Sequence, residues 1–148
     1  MAKTETSFEY ETLVRYMLPQ GMLDYFDVTD VREEIINRKD EAGSTVHILH
    51  IYLDERDLRD KAWHDLKPNG FTEPRHIDDF PMRGRKVQLH VRRRRWTDAN
   101  GRNVILDSPS LVAKGTSYSV EFAECLKKIY GHLSGDSTKR GASKPDRW

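Results

Sequence analysis

The sequence holds a single cysteine, Cys125, in 148 residues. No disulfide can form within one chain, and a zinc site built mainly from thiolates is excluded. Long apolar runs are missing too, since nothing approaches the roughly 18 residues that a membrane span needs. The opening Met-Ala-Lys-Thr-Glu-Thr lacks the apolar stretch of a signal peptide, so the expected compartment is the cytoplasm. There is no glycine-rich phosphate loop, no Gly-x-Ser-x-Gly elbow and no internal repeat. Net charge is also nearly absent, with 25 Lys and Arg against 24 Asp and Glu, a formal +1. Such a balance would ordinarily argue against a nucleic-acid partner.

What the chain does have is local charge and enough aromatic residues for a core. A third of the residues are charged and the mean hydropathy is -0.79, but three Trp, six Tyr and five Phe argue against wholesale disorder. The length suits one domain with a core of modest depth.

Residues 6–18 read as a helix, because Tyr10, Leu13, Val14, Met17 and Leu18 recur at the spacing of one helical face. Thr6 and Glu9 fit a capping box, and Pro19 with Gly21 stops the helix. Two β-like stretches follow at 25–36 and 46–53, separated by the polar turn 39–44, which predicts a hairpin. Residues 54–70 are charged and irregular, with a short helix around 58–66 and a closing turn at Pro68-Asn69-Gly70. Strands are expected at 75–80, 86–96 and 102–106, the last two joined by Asp98-Ala99-Asn100-Gly101. A second helix is expected at 120–133, capped by Ser119, with Phe122, Leu126, Ile129, Tyr130 and Leu133 in one stripe. The expected organisation is one α+β domain over 1–133, a small antiparallel sheet or two hairpins flanked by the two helices. Residues 134–148, without periodicity and poor in apolar side chains, read as a flexible basic tail.

The charges are segregated. Residues 24–60 hold eleven acids against five bases, a net -6, whereas residues 82–102 hold eight bases against one acid, a net +7. The second segment contains Lys86-Val-Gln-Leu-His-Val-Arg-Arg-Arg-Arg-Trp96. A two-residue period puts Val87, Leu89 and Val91 on one face and Gln88, His90, Arg92, Arg94 and Trp96 on the other. Guanidinium forks match phosphate oxygens or the guanine edge, and a two-stranded ribbon fits the major groove. Arg83 and Arg85, flanking Gly84, would extend the strip. The plainer reading is an edge strand kept soluble by charge and paired with the acidic hairpin of the same chain.

Other constellations carry less. His47 and His50 would point to opposite faces of a strand and could not chelate one ion. His76, Asp78 and Asp79 lie in no recognisable ligand loop, and Asp79 should face away from the other two. Cys125 reads as a small core residue, and Trp63 as a core or groove filler rather than a stacking platform. No catalytic residue, metal or cofactor is expected.

The run Asp79-Phe-Pro-Met-Arg-Gly-Arg-Lys-Val-Gln-Leu-His-Val-Arg-Arg-Arg-Arg-Trp96-Thr-Asp98 resembles the N-terminal region protein of bacterial insertion-sequence transposases encoded in two reading frames. The stretches Leu18-Pro-Gln-Gly-Met-Leu-Asp-Tyr-Phe26, His50-Ile-Tyr-Leu-Asp54, Leu111-Val-Ala-Lys-Gly-Thr116 and Glu121-Phe-Ala-Glu-Cys-Leu-Lys127 share the likeness, which spans about residues 13–130. It implies a non-catalytic module that binds double-stranded DNA at the terminal inverted repeats of its element. A catalytic transposase half from the second frame would be its partner, and a second copy of the chain a further candidate. More distant transposases carry a zinc ribbon in the corresponding place; here the turns at 68–70 and 98–101 hold no Cys, so metal binding does not carry over. The implied DNA-binding residues are Arg83, Arg85, Lys86, Arg92, Arg93, Arg94 and Arg95, and the strand pattern adds Trp96. The alternative is a protein-interaction module that docks an acidic partner through the arginine-rich strand.

Overall fold

A computed structural model of the chain describes residues 9–37, 44–108 and 110–133. The expected cap at Thr6, most of the polar turn at 39–44 and the tail at 134–148 lie outside the described residues. The chain has an α+β fold. It opens with helix α1 (Tyr10–Met17) and a single turn, α2 (Met22–Tyr25). Leu18 between them is extended, as a residue before proline tends to be, and Gly21 takes the positive φ of 80° from which α2 starts. The apolar stripe of α1 is only partly buried. Val14 and Leu18 pack on the core, while Tyr10, Leu13, Tyr16 and Met17 remain exposed.

Four strands form the main sheet in the order β1-β2-β5-β4: β1 (Phe26–Asn37), β2 (Thr45–Glu55), β5 (Arg85–Arg92) and β4 (Arg75–Met82). The expected β1–β2 hairpin is antiparallel, and β4 and β5, expected only as separate strands, form a second antiparallel hairpin. They join through a parallel β2–β5 pair, Leu49 opposite Val87 and Leu53 opposite Val91, so one mixed sheet results. Ile51, Leu53, Ile77, Val87, Leu89 and Val91 line one face and bury against Leu18, Met22, Leu23, Phe26 and Val112. The other face is polar and carries Arg32, His50, Tyr52, His76, Gln88, His90 and Arg92 in facing rows.

A second, three-stranded sheet has the order β3-β6-β7: β3 (Lys67–Phe71), β6 (Arg94–Thr97) and β7 (Asn103–Val104). The expected turn at 68–70 is therefore part of a strand. Its turn chemistry survives as a register shift between Pro68 and Phe71, with Gly70 at φ 78°. Leu66, Trp96 and Leu106 form a separate small core beneath this sheet. The expected short helix at 58–66 shrinks to one 3-10 turn, Lys61–Trp63, and Trp63, expected to fill core or groove, is 44% exposed.

Helix α3 (Val120–Leu133) begins where expected. The buried Ser119 hydroxyl accepts from the Phe122 N–H at 3.3 Å and donates to Asp79 at 2.7 Å. Ser117 and Ser119 also hydrogen-bond to the backbone of Asp78, so this segment covers the outer edge of β4 and docks the helix start on the sheet. Cys125 on this helix is half-buried. Among the described residues no helix is long and apolar enough to cross a membrane.

Candidate nucleic-acid interface

The arginine-rich stretch does not run as one strand. Strand β5 lies in the interior of the main sheet and ends at Arg92, and β6 starts at Arg94 in the other sheet. Arg93 is the crossing point, held by a backbone bond from Thr72 at 2.8 Å and by its own N–H to the Thr72 hydroxyl at 3.0 Å. Arg92 and Arg94 still converge, with their guanidinium groups 4.5 and 5.0 Å over the Phe71 ring, but Trp96 does not join them. Val87, Leu89 and Val91 are buried as the alternation predicts, but beyond Arg93 the second sheet sets its own inner face. Trp96 points into that core, 1% exposed, and is no surface platform.

The acids that looked remote in sequence lie beside the arginines. Arg92 donates from Nε and Nη2 to both carboxylate oxygens of Asp54, at 2.7 and 2.6 Å. Hydrogen bonding to Asp54 raises the Arg92 pKa, and its guanidinium lies 4.5 Å over the Phe71 ring. Arg93 reaches Glu55, a carboxylate only 1% exposed, at 3.0 Å, and its Nη2 donates to the Leu106 carbonyl. The Arg94 N–H takes the other Glu55 oxygen at 2.8 Å, and the Arg94 Nε donates to the Glu55 backbone carbonyl at 2.8 Å. Arg85 pairs with Glu33 at 2.8 Å, and the same Glu33 oxygen lies 2.9 Å from His47 Nδ1. Arg85 and His47 together hold the Glu33 carboxyl below its ordinary pKa. The intramolecular pairing anticipated as the plainer reading thus holds for Arg85, Arg92 and Arg93, but on interior strands rather than a sheet edge.

Arg83, Lys86 and Arg95 are exposed and form no ion pair among the described residues. Arg83 and Gly84 are the two central residues of the β4–β5 turn, with φ 52° and 79°, and Met82 faces Arg85 across it. Positive φ at both positions is the two-residue hairpin geometry that favours Asn-Gly. Arg83 occupies the first at a conformational cost of about 1 kcal/mol. The turn holds its guanidinium at the tip of the hairpin.

Sequence reasoning missed a histidine cluster on the polar face of the main sheet. His50, His76 and His90 come from three adjacent strands. His90 stacks on Tyr52 with centroids 4.5 Å apart and meets His76 edge-on at 4.4 Å. His50 Nε2 lies 2.7 Å from Glu34 and His50 Nδ1 lies 2.7 Å from His90 Nε2. Because a carboxylate only accepts, the chain of bonds runs from His90 N–H to His50 and from His50 N–H to Glu34 when both rings are neutral. Burial, then the charges of His76 and His50, lower the His90 pKa to about 4. The signal was in the alternation, since residues 50 and 52 and residues 88 and 90 share one face, but the β2–β5 pairing that joins them leaves no local trace. An adjoining hollow of about 340 Å³ is lined by Asp30, Arg32, Tyr52, Asp54, His90 and Arg92, with its two guanidinium groups matched by two carboxylates.

His47 and His50 face opposite sides of β2, toward Glu33 and Glu34 respectively. Asp78 accepts from the Ser117 hydroxyl, and Asp79 turns to the other side, where burial raises its pKa. Among the described residues no group of three His, Cys, Asp or Glu is placed to hold a metal ion. Comparison with known protein families, curated proteins and solved structures finds no match.

Proposed function

We propose that the chain is a non-catalytic, double-stranded DNA-binding module of a transposase that recognises the terminal inverted repeats of its element in the cytoplasm. Its partner is a catalytic transposase half encoded in a second reading frame. The observation that carries this reading is the division of the basic segment. Arg85, Arg92 and Arg93 are neutralised by Glu33, Asp54 and Glu55, while Arg83, Lys86 and Arg95 are exposed without an ion pair among the described residues. Exposed cations on turns and strands are what phosphate contacts require. Arg83 further supports it, because a residue kept in a costly backbone conformation at a hairpin tip points to a role for its side chain.

The test is fluorescence anisotropy with a labelled duplex carrying the element's ends and a scrambled duplex of equal length. Both should bind, the first more tightly, and Arg83→Ala/Lys86→Ala should weaken both. An acidic polypeptide that displaces the chain in large excess of DNA would instead favour the protein-docking alternative.

A further inference from the structure

The outer face of the β3-β6-β7 sheet carries side chains that the basic segment alone does not include. Trp96 marks the inner face, so Arg95 and Thr97 point outward. Lys67 stands opposite Thr97, and Thr97 opposite Asn103, and directly opposed residues share a face. Asn69 Nδ2 donates to Asn103 Oδ1 at 2.5 Å although β6 lies between their strands. The amide pair must therefore bridge over β6, on the outer side. The register shift in β3 sets Gly70 beside Arg95, where an added Cβ would meet the guanidinium at 4.0 Å. Neither Lys67 nor Arg95 forms an ion pair among the described residues. The nearby Asp98 carboxylate is engaged by the N–H groups of Asn100 and Arg102, at 2.9 Å each.

We infer that this outer face is a second duplex-DNA contact surface, with Lys67 and Arg95 on phosphate oxygens and the Asn69–Asn103 amide pair toward the groove between them. The inference rests on the DNA-binding reading above and extends it from the hairpin tip to the second sheet. Lys86 and Arg95 are nine residues apart, a span of at most about 30 Å of extended chain. That bound is below the roughly 34 Å of one duplex turn, so an oligonucleotide of one turn or more is long enough to meet both surfaces.

The experiment measures binding of the full chain to a 20-base-pair duplex between 50 and 200 mM salt, for wild type, Lys67→Ala/Arg95→Ala and Arg83→Ala/Lys86→Ala. Each lost phosphate contact removes about 0.9 from the log-log slope, so the first double variant should lose about 1.8. Its affinity should then fall about twelvefold less than wild type's across that fourfold salt range. Urea unfolding of the same variant should match wild type, since both side chains are exposed. If Lys67→Ala/Arg95→Ala leaves slope and affinity unchanged while Arg83→Ala/Lys86→Ala weakens binding, this second surface is refuted and the DNA-binding reading stands. If wild type binds no duplex, or only single-stranded RNA, both are refuted.

Discussion

Replacing Arg93 with Ala should unfold the protein more readily rather than simply weaken a binding face. Glu55 is buried, and its two carboxylate oxygens are taken by the Arg93 side chain at 3.0 Å and the Arg94 N–H at 2.8 Å. Removing one partner of a buried pair costs about 3–5 kcal/mol, because the other charge is left in a poor solvent. The surviving Arg94 bond puts the loss near the lower end, about 3 kcal/mol. For a domain that unfolds with an m-value of about 1.5 kcal/mol per M in urea, the midpoint should drop by about 2 M. Arg93→Met/Glu55→Gln removes both charges and keeps an acceptor for the Arg94 N–H, so it should recover most of the loss. Arg95→Ala, two residues on but exposed, should stay within about 0.5 kcal/mol of wild type. Urea unfolding followed by Trp fluorescence measures all three. Equal midpoints for Arg93→Ala and Arg95→Ala would refute the assignment of Arg93 to the fold.

Three further outcomes follow from the same contacts. The folded-state pKa of His90 lies near 4, below the ordinary histidine value of 6.5, so its stabilisation is fully present above pH 6.5 and is lost as pH falls toward 4. Between pH 7 and pH 5 this linkage removes about 2 kcal/mol, and His90→Gln should flatten that part of the urea-midpoint profile. Ser119→Ala removes both the α3 cap and the hydroxyl donor to Asp79, and should cost about 2 kcal/mol, measured by thermal unfolding. Arg83→Asn relieves the left-handed arginine and should raise stability by up to about 1 kcal/mol while reducing the salt slope of duplex binding by about 0.9.

Local signals carried much of this fold. Ser119 at the start of α3, the β1–β2 hairpin, the β6–β7 hairpin across Asp98-Ala99-Asn100-Gly101 and the buried Val87, Leu89 and Val91 all follow from residue periods and turn chemistry within short windows. The parallel β2–β5 pairing does not, because it joins strands separated by the whole of 56–84, and no short window records such a partner. That pairing sets Asp54 beside Arg92, and with it comes Glu55 beside Arg93 and the whole histidine cluster. Trp96 shows the same limit from the other side. Its placement on the arginine face followed from extending one strand's alternation across Arg93, where the chain changes sheets. The segregation of charge in sequence was real, yet the acidic hairpin neighbours the basic segment and pairs with three of its seven arginines, Arg85, Arg92 and Arg93. The candidate site is therefore smaller than the basic run and partly elsewhere, including Lys67, Asn69 and Asn103, which no charge count would select.

The salt dependence of duplex binding by the wild-type chain tests the division between paired and exposed cations most directly. Four exposed contacts, Lys67, Arg83, Lys86 and Arg95, predict a log-log slope of about -3.6. A slope near zero, or no duplex binding at low salt, would contradict DNA recognition itself. A slope near -6 would show instead that Arg85, Arg92 and Arg93 leave their carboxylates to meet phosphate.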